Sequence, residues 1–191
     1  MSQKGQETRQ RIIATTLTLL HTKSLDQISV REICELAHIA KGTFYIYFEA
    51  KEAIAWAILE HSFGNLLNEF TSFTHDTPTQ DSIDKILTYV FDFSIKNQEI
   101  LKLIHHVRFT DFLGKEAMLA KYDTFFTEGV FVLLKNGVDA GIYRIHNVAF
   151  MAYFISSSIH ELIDQVIYER SPYQLNEIKT ELKGIIQKMI T

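Results

Sequence analysis

Proline, the residue that most surely interrupts a helix, occurs only twice in 191 residues, so little in the chain opposes long helices. Cysteine occurs once, as Cys34, which leaves it no partner for an internal disulfide and fits a reducing compartment. Long apolar runs are missing as well. The nearest approach, residues 148–159, includes three serines and falls short of the roughly 18 apolar residues that a membrane span needs. No basic segment followed by an apolar one opens the chain, which is the pattern of a secretory leader. These absences predict a cytoplasmic protein with no membrane partner.

Motifs that carry chemistry are equally scarce. There is no glycine-rich phosphate loop, nucleophile elbow, Cys-x-x-Cys or His-x-x-x-His pair, although the chain has eight histidines. His105 and His106 are adjacent, and neighbours on a helix point about 100° apart, so the two do not converge on one ion. Glu60-His61 and His160-Glu161 are acid-base neighbours with no accompanying site. The expectation is no enzyme, no metal and no cofactor.

What is present is apolar and helical in rhythm. Hydrophobic residues make up 47 % and charged ones 22 %, the composition of a compact protein. Val, Ile, Thr and the aromatics recur at three- and four-residue steps rather than alternating, which predicts an all-α fold. Net charge is −4, but residues 1–51 hold seven basic and five acidic side chains, a balance of +2 that leaves −6 for the remainder. A mildly basic head on an acidic body suits phosphate contact at one end; chance distribution over a solvated surface is the alternative.

Ile12, Ile13, Thr16, Leu17, Leu19 and Leu20 fall on one helix face, preceded by the polar Arg9-Gln10-Arg11. Lys23 to Ile28 breaks the rhythm, and Ser29-Val-Arg-Glu32 then supplies a capping box for a second helix. That helix has an inner face of about two turns, Ile33, Leu36 and Ala37. His38-Ile39 interrupts it, and Lys41-Gly-Thr-Phe-Tyr45 starts a third. A helix, a tight turn and a helix around a small core of Ile33, Ala37, Ile39 and Phe44 is a helix-turn-helix, with Lys41, Gly42, Thr43, Tyr45 and Tyr47 on its outer side.

Thr8-Arg9, Ile12-Ile13, Ser29-Val30, Ile33, Ala37, Lys41-Gly-Thr-Phe-Tyr45, Tyr47-Phe48 and Lys51-Glu52 resemble the N-terminal signature of the TetR family of transcriptional regulators. The resemblance spans about residues 8 to 55, and its most specific part is the run from Lys41 to Glu52. Three positions depart from it: His38 where glycine is frequent, Ala50 where a serine or asparagine cap is common, and Ser24 in place of a loop glycine. The resemblance implies about nine helices, a three-helix DNA-binding domain over residues 1–50 and a ligand-binding and dimerisation domain over 51–191.

Ser29 and Arg31, opening the second helix, are expected to dock phosphate. Lys41, Gly42 and Thr43 begin the recognition helix, where glycine admits close backbone approach and the other two reach bases or phosphates. By resemblance, Tyr45, Tyr47 and Lys51 hold phosphates that position the protein without specifying sequence. Core packing is the alternative for Tyr45, and simple capping for Ser29. The expected partner is double-stranded operator DNA of two-fold or pseudo-two-fold symmetry.

A long fourth helix from Lys51, a polar linker at Thr74 to Asp81 and further amphipathic helices follow. Val148 to Glu169 and the last stripe, Leu175, Ile178, Leu182, Ile185, Ile186 and Met189, read as a partner-helix surface; the resemblance implies a homodimer through these two helices. The body is rich in aromatics, and by resemblance a small, largely apolar effector lies among Phe63, Phe70, Tyr89, Phe93, His105, Arg108, Tyr122, Phe126 and Phe154, with core packing as the bland alternative. The expected function is a homodimeric, ligand-released repressor; a DNA-binding regulator or activator without an effector is the second reading.

Overall fold

In the computed structural model, which describes residues 3–109 and 115–190, the chain is all-α. Its elements are α1 (Gln3–Leu20), a 3-10 turn (Leu25–Gln27), α2 (Val30–Leu36), α3 (Lys41–Tyr47), α4 (Lys51–His75), α5 (Ser82–Lys96), α6 (Gln98–Phe109), α7 (Lys115–Asp139), α8 (Val148–Ile167) and α9 (Leu175–Ile190). Among the described residues there are nine α-helices and no strand, as the helical spacing and the resemblance together predicted. α1 begins well before Arg9, because its first two turns are polar throughout and carry no apolar periodicity; there Thr8 donates its hydroxyl to the Lys4 carbonyl at 2.9 Å.

Three helices end in one way, with a residue of positive φ closing the last turn: His38 (φ 51) after α2, Gly141 (φ 71) after α7 and Glu169 (φ 55) after α8. In each the next amide reaches back across the final turn, Ile39 to the Cys34 carbonyl at 3.0 Å, Ile142 to Gly137 at 2.8 Å and Arg170 to Gln165 at 2.8 Å. This is the Schellman arrangement, which satisfies carbonyls that the helix itself leaves open. Only Gly141 adopts it without steric cost.

The chain divides into two compact units, one of residues 1–64 with 99–113 and one of 65–98 with 114–191. α4 contributes its first part to one and its last turns to the other. In the first unit Ile12, Ile33, Phe44, Ile54 and Ile58 form a core with at most 1 % of each exposed. α6 belongs to the same unit, burying Ile100, Leu103 and Val107 and bringing His106 Nε2 to 3.5 Å from Asp26 Oδ1.

In the second unit α7 packs on α8 and α5 on α9. Lys179 reaches Asp92 at 2.9 Å and Lys183 reaches Asp84 at 3.0 Å, joining α9 to α5. Leu175, Ile178, Leu182, Ile186 and Ile190 are buried within this unit, so most of the stripe expected to meet a partner chain serves intrachain packing. Only Ile185 and Met189 of that stripe remain exposed. The polar segment expected as a linker is a connection inside the unit: Tyr143 donates its hydroxyl to the Thr79 carbonyl at 2.8 Å, and Thr79 N–H donates to Ser82 Oγ at 2.9 Å.

Candidate nucleic-acid interface

The geometry of the head follows from the turn between α2 and α3. Ser29 caps α2 by accepting the Glu32 amide at 3.1 Å, which is half of the expected capping box. The other half is diverted, since the Glu32 carboxylate pairs with Lys23 instead, and this hydrogen bond holds its carboxyl below the usual carboxylate range. At the far end of α2, His38 turns the chain so that Ile39 and Ala40 lead directly into α3. Histidine is among the residues that tolerate a left-handed backbone better than most, so the departure from glycine leaves the turn intact.

On α3, Phe44 is fully buried and meets Tyr45 edge-on at 5.2 Å and Phe48 at 6.1 Å. Lys41, Gly42 and Tyr45 are exposed, whereas Thr43 and Tyr47 are half-buried. Tyr45 is 48 % exposed, which removes core packing as the account of this residue. Arg31 projects from α2 into solvent with its Nε on Glu35 Oε1 at 2.7 Å, an exposed i,i+4 pair that a phosphate could replace at small cost. Ser29, Arg31, Lys41, Gly42 and Tyr45 are thus all exposed on the two helices of the motif.

Gly42 has no structural reason within the chain. Its backbone is not left-handed, and a Cβ added there would meet no atom within 4 Å. Glycine in a helix is less stable than alanine by roughly 0.5–1 kcal/mol, so this position gives up helix stability for an unobstructed backbone. An outside molecule that lies against α3 would use that space.

Lys51 does something the sequence does not reveal. Its ammonium donates to three carbonyls, Leu25 at 2.8 Å, Asp26 at 3.2 Å and Ile28 at 3.3 Å, so the start of α4 is tied to the segment that precedes α2. In this arrangement Lys51 positions the start of α4. Two further residues, Arg9 and Ile46, are given no site role by the sequence pattern. Arg9 lies over the Phe48 ring at 5.2 Å, and Ile46 on α3 is 77 % exposed. An isoleucine in an otherwise apolar-aromatic run reads as core, and only the helix phase separates it from Phe44. Cys34 is buried, and that burial pushes its thiol up, which keeps it protonated and unreactive at neutral pH.

The residues expected to surround an effector are distributed between the two units. Phe63, His105 and Arg108 are half-buried in the first. Phe70, Tyr89, Phe93, Phe126 and Phe154 lie in the second, and the side chain of Tyr122 lies outside the described residues. Phe70 is 1 % exposed and stacks on Phe126 at 4.9 Å. Gly129 admits it so closely that an added Cβ would stand 2.1 Å from its ring, so this pair is packing. Tyr89 and Phe93 instead line an open cleft of about 680 Å³ with Phe73, Glu69, Asp84 and Lys96 among its other walls. Burial, with the hydrogen bond and charge of Glu69, pushes Tyr89 up to about 12. Among the described residues no group of three or more His, Cys, Asp or Glu could hold a metal ion, and no helix is long and apolar enough to cross a membrane.

Residues 12–58 match the family described as bacterial regulatory proteins, tetR family. The uncharacterized HTH-type transcriptional regulator YerO of Bacillus subtilis (strain 168) is 28% identical over 136 residues, 61% of this chain and 47% of its own length. The nucleoid occlusion factor SlmA of Haemophilus influenzae (strain PittGG) is 25% identical over 100 residues, 51% of this chain and 46% of its own. The chain thus spans about half the length of these curated relatives. Among solved structures, the transcriptional regulator FadR from Bacillus subtilis in complex with stearoyl-CoA has a TM-score of 0.77 at 16% identity, over 95% of this chain and 99% of that one. At that identity the likeness is one of fold.

The tie at Lys51 has a measurable consequence. Lys51→Met keeps the stem and removes the three donors, and should lower the stability of the head by about 2 kcal/mol. The chain's one tryptophan, Trp56, lies on α4 and reports urea unfolding there. A midpoint equal to the parent's would show that the ammonium contributes nothing to the fold and would return Lys51 to the role of a phosphate contact.

Proposed function

The head of this chain, residues 12–58, is of the TetR family of bacterial regulatory proteins, and on that premise we propose that the protein is a cytoplasmic transcriptional repressor. It binds double-stranded operator DNA of two-fold symmetry as a homodimer and is released by a small molecule. In this reading residues 1–50 bind DNA and 51–191 bind the effector and the partner subunit.

The observation that carries the reading is the outer side of α3: lysine, an unobstructed glycine and an exposed tyrosine on a short helix held by a buried phenylalanine. Lys41 and Thr43 reach base edges or phosphates, while Tyr45, Tyr47, Ser29 and Arg31 position the helix on the backbone. DNA affinity should fall steeply with salt as counterions are released. Gly42→Ala separates folding from recognition, because the two respond with opposite sign. The variant should be more stable by about 0.4–1 kcal/mol, yet bind duplex DNA from upstream of its own gene roughly tenfold more weakly, as measured by fluorescence anisotropy. Equal affinity for parent and variant would remove α3 from the interface.

The dimer rests on four exposed apolar side chains of the second unit. Phe150 and Tyr153 lie three residues apart on α8, at 62 % and 63 % exposed, and Ile185 and Met189 lie one turn apart on α9, at 49 % and 41 %. α8 and α9 are in contact, and two such faces related by a two-fold axis would bury all four residues twice. Tyr153→Arg with Ile185→Arg should give a folded monomer by light scattering, whereas Leu182→Arg, at a position 6 % exposed, should unfold the chain. A parent protein that is monomeric at micromolar concentration would overturn the assembly.

The effector reading rests on the cleft beside Tyr89 and Phe93. Its aromatic walls suit the largely apolar effector expected, and its charged rim favours one with a polar end. Ligand and DNA would oppose each other through a coupling of about 1–3 kcal/mol, with equal reciprocal effects. Thermal-shift screening of long-chain acyl and aromatic amine compounds, repeated with operator present, tests it. If none changes operator affinity, the second reading holds, a DNA-binding regulator without a small-molecule input.

A further inference from the structure

Ile46 is the most exposed of the large hydrophobic side chains among the described residues, at 77 %, while Phe44 two positions earlier is fully buried. Nothing inside the chain favours isoleucine there. A β-branched residue is a weaker helix former than the residues common on exposed helix faces, and leaving isoleucine in water forgoes the stabilisation that burial would give. Its position on α3 supplies a reason. Ile46 lies four residues after Gly42, so the two share one face of the helix, and at Gly42 the space above the backbone is empty. A surface that presses against α3 at Gly42 is brought onto the methyl groups of Ile46.

An aliphatic side chain has no donor or acceptor and cannot read the nitrogen and oxygen pattern of a base edge. In the major groove the one apolar group that distinguishes a base is the 5-methyl of thymine. We propose that Ile46 is a specificity-determining residue that selects thymine at one position of each operator half-site through that methyl group. The inference rests on the reading of α3 as the recognition helix and adds to it which base the helix prefers. Lys41 and Tyr45 hold the helix in the groove, Gly42 sets its depth, and Ile46 discriminates.

Selection from random sequence tests this without a known operator. The full-length protein selects duplexes from two random libraries, one containing thymine and one containing uracil in its place. The parent should enrich a motif with a fixed thymine in the first library and lose the preference at that position in the second. On the enriched duplex, replacing that thymine by uracil should weaken the parent about fourfold per half-site, the effect of one methyl group withdrawn from apolar contact. Ile46→Ala, a change at an exposed position that leaves the fold intact, should bind the thymine and uracil duplexes equally. A parent indifferent to uracil at every position, or an Ile46→Ala variant as sensitive as the parent, overturns the inference and leaves DNA binding standing. Failure of the parent to enrich any sequence overturns the recognition-helix reading, and the inference with it.

Discussion

The head is organised by one backbone conformation. His38 at φ 51 lets the Ile39 amide return to Cys34 and the His38 amide to Glu35, and this double closure fixes the direction in which α3 leaves α2. A left-handed residue other than glycine costs on the order of 1 kcal/mol, and the turn persists because the core on both sides over-determines it. Ile33 and Phe44 are fully buried, and Ala37 and Phe48 nearly so. With Phe44 fixed inward, the phase of a helix turns Gly42 and Ile46 to the opposite face, and Lys41 and Tyr45 are exposed beside them. The composition of the exposed face is therefore the part of α3 that folding leaves free, and it is there that recognition chemistry has to be sought.

Much of this is legible in the sequence, for a physical reason. Where a helix is half-buried, its apolar residues carry the period, and α5 and α9 follow from it; in the short α2 the period misleads at Leu36, expected on the inner face and 53 % exposed. The polar first turns of α1 carry no such signal, so its start is not legible. Pattern also fails to say what an apolar stripe packs against. Leu175, Ile178 and Leu182 show the same spacing whether they meet α5 of their own chain or a second subunit, and the structure gives them to their own chain. The apolar residues left exposed, Phe150, Tyr153, Ile185 and Met189, sit in α8 and α9 at a different phase. Lys51 stands at the start of α4 as its sequence position indicates, but its bonds to the carbonyls of Leu25, Asp26 and Ile28 are not legible there, because a lysine's reach to carbonyls more than twenty positions away in sequence has no local signature.

The aromatic side chains show the same limit. Fourteen phenylalanines and eight tyrosines make cavity walls and core indistinguishable by composition. Phe70 seated on Gly129 and stacked on Phe126 is packed as tightly as an interior allows, whereas Tyr89, edge-on to Phe73 at 5.4 Å, borders open space. Burial of a phenol beside a carboxylate keeps Tyr89 neutral throughout the physiological range, so it can offer a hydrogen bond but no charge. Charge in the cleft comes from its acids and lysines, and some of these are engaged between helices, as Lys183 is with Asp84. A ligand that entered would have to compete with that pair. Such competition is a means by which occupancy could alter how α5 and α9 are held together.

α3 offers only seven residues, and a helix of that length presents few side chains to a groove. One such head, with a handful of phosphate contacts and one or two base contacts, supplies modest affinity and little discrimination, since each good base contact is worth about 1–3 kcal/mol. Joining two heads multiplies their equilibrium constants when both half-sites are engaged together, and it doubles in free energy the penalty for a wrong base. In the proposed dimer the apolar face of α8 and α9 and the outer face of α3 would then be two halves of one requirement. On the proposed reading, a head this small would become selective only through a partner, and Phe150, Tyr153, Ile185 and Met189 would lose their exposure to water in the same step.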